Sequence, residues 1–213
     1  MRPDELNRMN EPSLKDIWDK IDFPCKRFIT LFHAASDHSQ RLFALEGILE
    51  YCYGYLVTNR HLNKDHSEDA LTIQIVGQLQ IAGLWASHDT QVGGHCDIVV
   101  IGPDHFLWLA EAKIYGSYEK LRAGFLQLST RYATGGYGQN HGELIIYCRS
   151  PNALGTLEKW MDFVCETPEV RVEIVEKHTT DLLWFRTRHQ SKNTGTDFCT
   201  RHRIVPMFWS PMK

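Results

Sequence analysis

Residues 97–113 read DIVVIGPDHFLWLAEAK, two apolar runs separated by a short polar segment. Gly102, Pro103, Asp104 and His105 supply turn chemistry, so 97–101 and 106–113 are expected to form a hairpin. With the turn centred between Pro103 and Asp104, residues whose numbers add to about 207 face each other, setting Asp97 opposite Ala110 or Glu111. Side chains alternate along a strand, so Glu111 and Lys113 share a face and Ala112 takes the other. Two carboxylates and an ammonium therefore meet at one corner of otherwise apolar strands.

Outward from the hairpin, the period of the apolar residues changes. A helical pattern at 68–82 ends at Gly83 and precedes a strand at 84–87. Past the hairpin come a helix at 117–133, a strand at 144–148, a helix at 153–165 and β-like runs at 170–175, 182–186 and 202–209. The expected class is α/β, a mixed central sheet flanked by helices. Residues 1–12 read as disordered and 13–62 as helical, with helices near 14–21 and 37–58. A polar break follows at 63–67. The expected organisation is an N-terminal helical extension, 1–62, and an α/β domain, 63–213.

An acidic corner in an apolar hairpin needs a reason, because each uncompensated buried ion costs several kcal/mol on the order given for effective desolvation. Two readings fit the residues. In one, Asp97 caps a strand start while Glu111 and Lys113 form a cross-strand salt bridge. In the other, hard carboxylate oxygens hold Mg²⁺, which makes a water acidic enough to attack, and Lys113 positions that water or neutralises developing charge.

Taken as D-x13-E-A-K with an apolar strand on each side, the pattern resembles the PD-(D/E)xK nuclease superfamily, over about residues 67–148. Cys96 stands where the family motif has a proline. The resemblance implies a restriction-endonuclease-like core in the order α-β-β-β-α-β, the order read above from pattern alone. It also implies a Mg²⁺- or Mn²⁺-dependent nuclease in which Asp97 and Glu111 bind metal and Lys113 assists the water. The superfamily often places a further acid on the preceding helix, and Glu68 and Asp69 are the candidates here. Leu71, Ile75, Leu79 and Ala82 form one helical stripe with Glu68 at its start and Asp69 about a quarter-turn away, which selects Glu68. Placed in the first turn with Ser67 as cap, Glu68 also suits the helix dipole. Gln127 resembles the glutamine that some branches carry in a QxxxY pattern, although Tyr132 here comes five residues later. Lys120, Gln127 and Arg131 run along one flank of the 117–133 helix, a flank expected to border the acidic corner.

The rest of the chain narrows the function classes. Six cysteines, at 25, 52, 96, 148, 165 and 199, form no CxxC pair, against a zinc ribbon or a dense disulfide framework. Eleven histidines form no HxxxH or HExxH pairing, and His95, just before Asp97, is a weaker candidate for metal or phosphate. The GGYG at 135–138 lacks the Lys-Ser/Thr of a nucleotide loop. No membrane span or secretory signal is read, and a cytoplasmic protein is expected. Net charge is −3, so any nucleic-acid surface must be local. The segment 186–203 holds Arg186, Arg188, Lys192, Arg201 and Arg203 and is either a phosphate contact or a solvated loop. Trp85, Trp108 and Trp184 sit in apolar runs and read as core.

The expected function is a DNA endonuclease with a restriction-like or defence role, DNA being the commonest substrate in the superfamily. RNA cleavage is the enzymatic alternative. A non-catalytic interaction module keeping the nuclease fold is the alternative of another class. The N-terminal helices offer a surface for a protein partner or a second copy of the chain.

Overall fold

The computed structural model describes residues 24–132, 134–178 and 183–211. The disordered segment expected at 1–12 and the helix expected at 14–21 lie outside them. The chain divides into two units, residues 1–51 and 52–213. In the first, α1 (Pro24–Ala34) is followed by α2 (His38–Thr58), which continues into the second. Within that first unit the Phe28 ring meets Phe43 edge-on at 5.7 Å. Gly47 leaves room for the ring, since a Cβ there would lie 2.5 Å from Phe28 Cδ1.

In the second unit the short α3 (Arg60–Asn63) leads to α4 (Glu68–Ile81). Ser67 caps α4 by accepting a hydrogen bond from the Ala70 amide at 3.1 Å, satisfying one of the amides a helix start leaves open. Leu71, Ile75, Val76 and Leu79 form its buried stripe. Gly83, at φ 83°, takes the left-handed conformation that turns the chain out of the helix. Then follow β1 (Trp85–Gln91), β2 (His95–Ile101) and β3 (Leu107–Ile114) as an antiparallel meander. Next come α5 (Tyr118–Gln127), β4 (His141–Cys148), α6 (Ala153–Cys165), β5 (Val172–His178), β6 (Trp184–Gln190) and β7 (Asp197–Pro206).

The seven strands form one sheet in the order β1-β2-β3-β4-β7-β6-β5. Its centre, β3-β4-β7, is parallel, and each flank is antiparallel. The α/β class and the mixed, helix-flanked sheet are as expected. Alternate residues of β4 show how the faces are covered. Glu143 and Tyr147 hydrogen-bond Tyr53 of α2 and Thr72 of α4, at 2.8 and 3.1 Å. Leu144 and Ile146, on the opposite face, pack with Leu121 and Phe125 of α5 and Trp160 of α6. Among the described residues no helix is long and apolar enough to cross a membrane.

Three details depart from the sequence reading. The helix expected at 117–133 is α-helical only to Gln127 and continues as one wider π turn, Leu128–Tyr132. That turn breaks the 3.6 repeat, so the flank does not continue in phase past Gln127, and the Arg131 side chain lies outside the described residues. The last two strands are longer than their apolar runs, because Thr187, His189, Thr200, Arg201, His202 and Arg203 are buried polar residues within them. Trp85, read as core, is 79% exposed, since β1 is the sheet edge and Trp85 begins it. Trp108 and Trp184 are buried, as expected.

Candidate functional site

The turn of the β2–β3 hairpin carries Asp104 and His105 at φ 57° and 63°, and it closes with the Gly102 amide donating to the Phe106 carbonyl at 2.9 Å. This geometry pairs Ile98 with Ala110, so one step further along each strand brings Asp97 level with Glu111. Asp97 Oδ2 there accepts a 2.7 Å hydrogen bond from the Ala112 amide. The acids lie at the carboxyl end of β3, where a parallel neighbour, β4, meets an antiparallel one, β2. Crevices outside the carboxyl ends of strands are where open α/β sheets take ligands.

Glu68 reaches the same corner from the start of α4. Its Oε2 accepts from the Ile114 amide at 2.6 Å, bridging the helix to the last residue of β3. Asp69, its rejected neighbour, points elsewhere: its side chain is 74% exposed and lies 3.8 Å from His88 Nε2. Lys113 occupies the middle of the cluster. Its Nζ donates to Glu111 Oε1 at 2.6 Å, to the Ala112 carbonyl at 2.9 Å and to Glu68 Oε1 at 3.5 Å, with Asp97 Oδ2 at 3.8 Å. The Lys113 stem lies under α5 at Gly124, where a Cβ would come 3.0 Å from Lys113 Cγ. One turn earlier on α5, Lys120 Nζ donates to Glu68 Oε2 at 3.2 Å.

Burial sets the electrostatics. Glu111 is 2% exposed, and its second oxygen, Oε2, is buried with no hydrogen-bond partner. Burial, and next the Asp97 charge, outweigh the Lys113 bond and push the Glu111 carboxyl up to about 7. Asp97 is raised by burial too, against the pull of the Ala112 amide and Lys113. Burial opposes the Lys113 charge, but the Glu111 hydrogen bond and the surrounding carboxylates prevail, holding its proton more firmly than usual. Burial pushes the neighbouring Cys96 thiol up as well, which leaves it inert as a nucleophile.

Of the five site residues read from sequence, Glu68, Asp97, Glu111 and Lys113 meet. Gln127 does not join them: it ends α5, half-buried, on the stripe of Lys120 and Gly124, and makes no hydrogen bond to the four. His95 lies on the rim, 71% exposed, with Nδ1 2.9 Å from Asp89 Oδ1. Four of the five basic residues of the 186–203 segment are engaged within the protein, and Lys192 is exposed. Arg186 pairs with Glu176 at 3.3 Å, Arg188 with Glu173 at 2.8 Å and Arg201 with Glu143 at 2.8 Å, and Arg203 donates to the carbonyls of Leu183 and Ile204. The sequence reading gave Lys120 a flank and no role. Helix phase sets that flank beside the acidic corner, and the structure brings Lys120 there in the first turn of α5.

Among the described residues no three His, Cys, Asp or Glu side chains stand arranged to hold a metal ion, and the Lys113 ammonium is the countercharge between the carboxylates. The donor chemistry still suits a hard divalent cation: three carboxylates at one strand end, one with a buried oxygen that nothing satisfies. What the fold and corner define is an α/β protein with a carboxylate–lysine cluster at the carboxyl end of its central parallel strands. Comparison with known protein families, with curated proteins and with solved structures finds no match.

Proposed function

We propose that this chain is a Mg²⁺- or Mn²⁺-dependent nuclease of the PD-(D/E)xK type, with a restriction-endonuclease-like core, cutting the phosphodiester backbone of DNA. The observation that carries the reading is the meeting of Asp97, Glu111, Lys113 and Glu68 at one strand end, with Glu111 Oε2 buried and unpartnered. The element order α4-β1-β2-β3-α5-β4 supports it, being the α-β-β-β-α-β order of that superfamily.

Asp97, Glu111 and Glu68 would hold the cation, whose chemistry when bound is to acidify water and screen the phosphate charge. The Ala112 and Ile114 amides fix the Asp97 and Glu68 carboxylates, so the donors are set before a cation arrives. Lys113, rigid between β3 and Gly124, would turn a hydrogen from the carboxylates to the attacking water once a cation takes up their charge, and would offset charge building on the phosphate. Gln127, two turns along α5 from Lys120, takes no part in this arrangement. DNA is preferred to RNA as the commoner substrate of the superfamily, and a restriction-like defence role in the cytoplasm follows the same likeness.

The test incubates the protein with plasmid, linear and single-stranded DNA and with RNA, in Mg²⁺, Mn²⁺ or EDTA, alongside Lys113→Ala. Cleavage of DNA that needs the cation and is lost in the variant is expected. Cleavage persisting equally in EDTA or in Lys113→Ala would overturn the mechanism. Inactivity on every substrate would favour an interaction module that keeps the fold.

A further inference from the structure

Lys113 cannot also serve as the cation that receives the substrate. An ammonium has three N–H groups, and four oxygens already surround this one within 3.8 Å, the nearest being Glu111 Oε1 at 2.6 Å. Among the described residues the ammonium groups that pair with Glu68, Asp97 and Glu111 are those of Lys113 and Lys120, with His88 acting on Asp97 from farther off. Lys120 differs from Lys113 in every relevant respect. Its side chain is 47% exposed, and among the described residues its ammonium meets one acceptor, Glu68 Oε2 at 3.2 Å. That oxygen already takes the Ile114 amide at 2.6 Å, and Lys113 serves its partner oxygen, so Glu68 stays satisfied when Lys120 leaves. The Lys120 backbone is fixed by the Ser117 cap and by the close packing of α5 on Lys113 at Gly124, so a long flexible side chain swings from an anchored rim position.

We infer that Lys120 is a substrate-binding residue: it leaves Glu68 to pair with a backbone phosphate of the nucleic acid, delivering the strand to the Asp97–Glu111–Lys113 corner. The inference rests on the nuclease reading. A single ammonium on a phosphate is a sequence-independent contact that releases one counterion. Lys120 thus contributes affinity and salt dependence equally on every sequence.

The experiment measures binding of labelled duplexes of unrelated sequence by fluorescence anisotropy over a range of salt. Ca²⁺ replaces Mg²⁺, as a hard oxygen-seeking cation. Wild type is compared with Lys120→Ala, Lys120→Arg and, as a charge control at an exposed position of α6, Lys159→Ala. For Lys120→Ala the slope of log affinity against log salt should become shallower by about 0.9, by the same amount on each duplex. Lys120→Arg should keep the wild-type slope. Melting of each variant reports its folding. An unchanged slope in Lys120→Ala, or an equal change in Lys159→Ala, would overturn the inference while leaving the nuclease reading intact where wild type still cuts DNA. Wild type that neither binds nor cuts nucleic acid would overturn both.

Discussion

At the scale of single residues, Glu111 is a group held at a cost to the fold. A buried carboxylate oxygen without a donor forfeits its hydration, and the rise of this carboxyl from 4.5 to about 7 corresponds to roughly 3 kcal/mol. The folded protein therefore binds this proton more tightly than the unfolded chain. The stability that the protonated form contributes is fully present below pH 4.5 and is lost as pH rises to about 7. Glu111→Gln lacks that loss. In EDTA its melting temperature should gain on wild type from pH 5 to about pH 7 and level off above it, and calorimetry from pH 5 to pH 8 checks it. A gap that stays constant would mean that Glu111 titrates normally. Mg²⁺ should raise the melting temperature of wild type at pH 8 and not that of Glu111→Gln, because only a ligand of the native state stabilises it. Four of these side chains were legible in the sequence because each had a geometric rule behind it: strand alternation and a turn for Asp97, Glu111 and Lys113, and helix phase for Glu68. For Lys120 helix phase gave the flank but not the contact, since where a rim lysine bends depends on the strand end across from it.

At the scale of elements, α5 lies unusually near β3, and Gly124 makes that approach. A Cβ there would stand 3.0 Å from Lys113 Cγ and 3.2 Å from both Lys113 Cε and Leu144 Cδ1. Gly124→Ala should gain part of the roughly 1 kcal/mol that alanine offers over glycine in a helix. Crowding then offsets that gain by displacing the Lys113 stem, and stem displacement is felt at the ammonium. Cleavage should fall by at least ten-fold while the melting temperature moves by only a few degrees, on the order expected for a 1 kcal/mol change. Unaltered cleavage would show that Lys113 needs no such confinement. The elements were legible wherever an apolar period ran uninterrupted, as in α4 and the hairpin. They were not where polar residues are buried, as in β6 and β7, nor where the helix repeat changes at the π turn after Gln127.

At the scale of the whole molecule, strand order decides what each segment means, and local pattern carries no strand order. Trp85 looks like core until β1 proves to be the edge. Residues 186–203 look like a basic face until β6 proves to lie beside β5, whose Glu173 and Glu176 pair with Arg188 and Arg186. The parallel centre depends on the same kind of distant pairing. Glu143 on β4, fully buried, receives Tyr53 Oη at 2.8 Å and Arg201 Nε at 2.9 Å, and Arg201 lies directly across on β7. Removing Arg201 takes this ion pair from a buried carboxylate, and breaking a buried pair costs about 3–5 kcal/mol. Arg201→Ala should therefore lower the melting temperature by roughly 10 °C. Replacing both partners by Met removes the charges together and should recover most of that loss, because packed apolar side chains substitute well for a buried pair. A double variant no more stable than Arg201→Ala would show that the pair holds β4 and β7 in register through its hydrogen bonds rather than by cancelling charge. Cleavage by the double variant separates the two faces of the sheet. Glu143 is in register with Ala110 and projects toward Tyr53, opposite the face of Leu144, so a refolded double variant should cut DNA at close to the wild-type rate.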